Sequence, residues 1–102
     1  MFDPAAYTAA FEREHGLTEA EWQAALPGAA APHALACGPG AQARVAIGSG
    51  RLELAWTVLP PRRIALMHMP RLAVRYRFIG VADAERQRFM RGFDRFMQRG
   101  GG

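Results

Sequence analysis

The chain has 102 residues, half of them hydrophobic and 22% charged, with a formal net charge of +4. That length holds one hydrophobic core and excludes two ordinary domains, and the composition excludes a disordered chain. The charge is unevenly placed: residues 1–42 carry five acids against Arg13, a balance of −4, whereas residues 43–102 carry twelve arginines against four acids, a balance of +8. A basic half predicts an anionic macromolecule as partner, a nucleic acid or an acidic protein. Lysine and asparagine are absent, as in a GC-rich coding sequence, so arginine in place of lysine is not by itself a signal for phosphate. Cys37 is the single cysteine, which excludes an intrachain disulfide and fits a reducing compartment. Met1-Phe2-Asp3-Pro4 has no basic leader region, and no apolar run approaches the roughly 18 residues of a membrane span. A cytoplasmic bacterial protein with no membrane partner is expected.

Asp3 followed by Pro4 reads as a helix cap with proline at the first helical position, and Phe2 is placed to staple on Tyr7. This predicts a helix over 4–14 that buries Tyr7, Ala10 and Phe11 and stops at Gly16. Thr18-Glu19-Ala20-Glu21 is a capping box with Leu17 positioned to staple on Trp22, and the second helix it starts is expected to end at Leu26-Pro27-Gly28. Residues 1–27 thus form an acidic helical hairpin. Residues 28–42, rich in Pro, Gly and Ala, are expected to be a connecting loop.

Residues 43–79 predict a four-stranded antiparallel β-meander. Val45 and Ile47 lead into the tight turn Gly48-Ser49-Gly50, and Leu52, Leu54, Trp56 and Val58 then alternate with period two. Pro60-Pro61 ends that strand, 63–68 forms a third, and Met69-Pro70 reverses the chain into a fourth over 71–79. In the fourth, Leu72, Val74, Tyr76 and Phe78 share one face and Arg71, Arg75 and Arg77 the other. Asp83 caps a helix over 82–99 in which Phe89, Met90, Phe93, Phe96 and Met97 recur as a buried stripe. The expected architecture is a single α+β domain spanning 1–102, with the C-terminal helix packed on the sheet face of Leu54, Trp56, Ile64, Val74, Tyr76 and Phe78.

Arg88, Arg91, Arg95 and Arg99 fall on one flank of that helix, away from Phe89. Like charges at these spacings cost a few tenths of a kcal/mol each unless a partner offsets them. The candidate anion-binding set is therefore Arg88, Arg91, Arg95 and Arg99, with Arg75 and Arg77 of the sheet. Internal pairing with Glu12, Glu14, Glu19 or Glu21, and plain solvation, are its alternatives. A second candidate is an interface for a partner protein or a homodimer: Ala55, Thr57, Ala65, Met67 and Ala73 form a low apolar centre on the outer sheet face, rimmed by arginines. Coverage by the N-terminal hairpin is the alternative for that face. The patch has no aromatic platform for stacked bases, so nucleic-acid binding would be directed at the backbone.

No metal, cofactor or catalytic group is expected, and the reading is of a non-enzymatic binding module. Met67 and Met69 point to one face of a strand and His68 to the other, which breaks up a soft-metal site. Cys37 has no CxxC partner, and Ser49 sits in a hairpin turn and lacks the spacing of a hydrolase elbow. The chain ends Arg99-Gly100-Gly101-Gly102, and a terminal diglycine resembles the tail of ubiquitin-like sulfur-carrier proteins. That resemblance implies an activated C-terminal carboxylate, although in that family the tail follows a strand and here it follows a helix pattern.

Overall fold

The computed structural model describes residues 7–100, with side chains as far as 98. The expected helix start at Asp3-Pro4, its Phe2 staple, the side chain of Arg99 and the last two glycines lie outside this range. The elements in chain order are β1 (Ala10–His15), α1 (Glu19–Ala30), β2 (Leu35–Cys37), β3 (Gln42–Ile47), β4 (Gly50–Ile64), β5 (Met67–Ile79) and α2 (Asp83–Gly100). The α+β class is as expected. One antiparallel sheet runs in the order β1-β5-β4-β3-β2, and both helices lie on one of its faces.

The first expected helix is instead a strand. Glu and Ala favour helix in isolation, but residues 10–15 alternate half-buried and exposed, with Phe11, Arg13 and His15 toward the helices. The strand pairs with β5 from Ala10 opposite Arg77 to His15 opposite Leu72. Ladder bonds to a partner some 60 residues downstream outweigh a propensity difference of tenths of a kcal/mol per residue. Among the described residues a strand and a helix stand where the acidic helical hairpin was expected. The 28–42 stretch is likewise more ordered than expected, since α1 runs on through Pro27 to Ala30 and β2 closes the far edge of the sheet.

The second helix starts as its sequence dictates. Thr18 accepts from the Glu21 backbone N–H at 3.1 Å while Glu21 accepts from the Thr18 N–H at 2.9 Å, and Leu17 and Trp22 are both buried. Trp22 meets Trp56 and Phe93 edge-on, with centroids 5.8 and 6.0 Å apart, which ties α1 to the sheet and to α2. Tyr76 packs on Phe93 and Phe78 on Phe89. The two helices meet closely because Gly28 has no Cβ, which would lie 2.2 Å from the Phe96 ring. The expected α2 stripe is buried at Phe89, Met90, Phe93 and Met97, while Phe96 is 38% exposed.

Residues 63–68 are not a third strand. β4 continues through Pro60-Pro61, which is accommodated as an irregularity between Leu59 and Arg62. The reversal is a two-residue turn at Ala65-Leu66, flanked by the pair Ile64 and Met67. Prolines are tolerated here because residues 59–70 lie beyond the ends of β1 and β3, so the missing N–H costs no ladder bond on an outer edge. Ile64, expected in the core, is 53% exposed at the end of this two-stranded arm.

Candidate anion-binding surfaces

The inward stripe of α2 turns Arg88, Arg91 and Arg95 outward, and all three are exposed. None forms a salt bridge among the described residues; the ion pairs are made by Arg13, Arg51, Arg62, Arg71 and Arg86. The carboxylates that the alternative of internal pairing would use bond or point elsewhere. Glu14 accepts from Arg71 at 2.7 Å, and that bond holds its carboxyl below the usual carboxylate range. Glu19 accepts from the Trp56 indole N–H at 2.8 Å. Glu21 closes the capping box, and Glu12 points to the opposite face of the sheet, across from Arg75.

Asp94, the acid nearest the flank in sequence, faces inward. It accepts from Arg13 Nη1 at 2.7 Å and Nη2 at 3.0 Å, and from the Tyr7 hydroxyl. The Arg13 guanidinium lies 5.2 to 5.6 Å from the ring centroids of Tyr7, Phe11 and Tyr76. His15 Nε2 stands 2.7 Å from the Tyr76 hydroxyl. Burial, followed by the Asp94 hydrogen bond, pushes the Tyr7 hydroxyl up to about 12, and burial raises Tyr76 further. Burial, with Arg13 adding repulsion, depresses His15. Burial opposes the charge on Arg13, and the Asp94 contact more than restores it. This half-buried network joins β1 to α2 and was missed in sequence, where residues 4–14 read as helix; the alternation of Phe11, Arg13 and His15 was the available signal.

Arg75 and Arg77 do not join the α2 flank. They alternate with Tyr76 and Phe78, which face α2, so they lie on the far side of the sheet. There the register sets Arg44, Glu53, Arg77 and Ala10 in one row and Gln42, Ala55, Arg75 and Glu12 in the next. No helix among the described residues covers this face, and an open trough of about 730 Å³ runs across it between Pro39, Gln42, Ala55 and Arg75. Of the expected interface residues, Ala55, Thr57 and Ala73 lie together on this face. Ala65 and Met67 are displaced to the arm tip, because the third strand that was to hold them does not form.

Cys37 is exposed on β2, and no group of three His, Cys, Asp or Glu residues is placed to hold a metal among the described residues. The register puts Met67 and Met69 on one side of the arm and His68 on the other. No helix among the described residues is long and apolar enough to cross a membrane. Comparison with models of protein families, with curated proteins and with solved structures gives no match to this chain.

Proposed function

We propose that the protein is a non-enzymatic binding module that holds an anionic macromolecule, a nucleic-acid backbone above all, on the Arg88, Arg91 and Arg95 face of α2, with Arg99 as a further candidate by its spacing in sequence. The observation that carries this reading is the fate of the acids: Glu14, Glu19, Glu21 and Asp94 are each committed to another donor. Three guanidiniums on one helix face, with no ion pair among the described residues, attract phosphates by charge, and phosphate contacts hold the backbone without reading its sequence. The reading places the module in the cytoplasm, where a lone exposed thiol stays reduced.

Arg88→Glu with Arg95→Glu tests it. Both residues are exposed, so the fold is retained, and the expected result is loss of retention on a duplex DNA column together with a shallower salt dependence, by up to about two charges' worth at roughly 0.9 per phosphate. Unchanged retention sinks the proposal. A second reading, a protein-interaction or homodimer module, is favoured by one observation: no element among the described residues covers the sheet face of Ala55, Thr57 and Ala73. A salt-tolerant dimer lost on Ala73→Arg supports that reading instead.

A further inference from the structure

The arm formed by the ends of β4 and β5 has a tip that turn chemistry does not explain. A two-residue hairpin turn favours Gly, Asn or Asp, because its first central residue takes positive φ. Here that residue is Ala65, at φ 55°, and the turn Ile64-Ala65-Leu66-Met67 is apolar throughout. None of its large side chains is used in the core: Leu66 is 97% exposed, Met67 63% and Ile64 53%. An isolated two-stranded ribbon is marginal in water, and an exposed aliphatic tip adds an aggregation hazard.

The charges are arranged behind this tip. From Leu54 to Ala82 the chain has no acid and five arginines. Arg63 lies one residue behind Ile64 and Arg62 two, about 3 to 7 Å back along the strand. Arg62 and Arg71 share the single carboxylate of Glu14, at 3.8 and 2.7 Å, and Arg63 makes no ion pair among the described residues. The order is therefore apolar first and cationic second. A bilayer surface has the same order in reverse, hydrocarbon beneath an anionic headgroup layer, and interfacial elements enter it by about 5 to 10 Å. A nucleic acid meets a protein with phosphate first, and the arm has no aromatic ring to stack on bases. A second copy would bring two cationic arms together.

We propose that the β4–β5 arm is a membrane-surface anchor: Leu66, Met67 and Ile64 enter the acyl boundary of an anionic leaflet while Arg62 and Arg63 pair with lipid phosphates. This departs from the expectation of no membrane partner, which rested on the missing spanning segment; a surface anchor needs no such segment. The inference is independent of the α2 reading, because it uses a different surface.

Co-sedimentation of the full chain with vesicles of phosphatidylcholine alone, and of phosphatidylcholine and phosphatidylglycerol in equal parts, tests it. The intact protein sediments with the mixed vesicles and not with the neutral ones. Leu66→Asp, with an unchanged circular dichroism spectrum, weakens that association by about tenfold or more, as loss of one inserted leucine requires, and leaves duplex DNA retention unchanged. Arg62→Glu with Arg63→Glu weakens it in a salt-dependent way, whereas Arg88→Glu with Arg95→Glu does not. The proposal is overturned by no sedimentation of the intact protein, by equal sedimentation of the Leu66→Asp variant, by loss of vesicle binding only in the α2 variant, or by a tip substitution that abolishes DNA retention or dissociates a dimer and spares vesicle binding.

Discussion

The two long strands β4 and β5 pass through two different environments, paired along their length except for the irregularity between Leu59 and Arg62. Over 50–57 and 72–79 they lie beneath the helices, and Leu52, Leu54, Trp56, Leu72, Val74, Tyr76 and Phe78 are buried. Beyond that the helical layer ends: Trp56 is 5% exposed and Val58, two residues on along the same face, is 60% exposed. The alternation of Leu52, Leu54, Trp56 and Val58 is uniform in sequence, yet only its first three members are core. A strand pattern states which residues share a face, and the second layer decides whether that face is covered.

The largest effect expected from this contrast is Trp56→Ala, which removes the T-shaped contact to Trp22 and the bond to Glu19 and costs about 3 to 5 kcal/mol. A loss below about 1 kcal/mol in a urea melt would break the distinction between body and arm.

Asp94→Asn comes next. It leaves Arg13, half-buried among three rings, without its bidentate partner, and since the pair is partly exposed the expected cost is about 1 to 3 kcal/mol. Duplex DNA retention should be unaffected, because the Asp94 carboxylate is held by Arg13 and Tyr7 and makes no ion pair with Arg88, Arg91 or Arg95 among the described residues. Improved retention in this variant would show that its charge does reach them.

A pH titration of stability sharpens the account of the β1 network. His15 has a folded pKa below its ordinary 6.5, so the unfolded chain binds the extra proton and stability falls as pH drops below about 6.5. The Glu14 contribution is lost in a separate, lower window, beneath 4.5. The raised Tyr7 and Tyr76 work in the other direction, holding their stabilisation below pH 10 and losing it as the pH climbs above that value. Melting temperatures followed from pH 7 to pH 5 should decline in the intact protein and decline less in His15→Gln; parallel profiles would remove His15 from the network.

The smallest effect belongs to the arm. Leu66→Ser should change stability by no more than about 0.5 kcal/mol, since the side chain touches nothing that folding buries. A loss comparable to that of Trp56→Ala would mean that the arm packs in solution, against a neighbour or a second copy.

What the sequence determined by itself was whatever is encoded within one turn or one hairpin. The Thr18 capping box, the Gly48-Ser49 turn between β3 and β4, the alternation in 71–79 and the inward stripe of α2 were all readable, because hydrogen bonds and periodicities among near neighbours carry them. The tertiary structure decided the rest. Residues 10–15 became a strand because β5 offers them an edge; Pro60-Pro61 stayed within β4 because the arm has no outer neighbours; Arg75 and Arg77 were parted from Arg88, Arg91 and Arg95 by the layer order. The pairing of Asp94 with Arg13, and of Glu14 with Arg71, joins positions 57 or more residues apart. Such pairings depend on which elements become neighbours, and local propensity and spacing say nothing about that until the sheet and its helices have assembled.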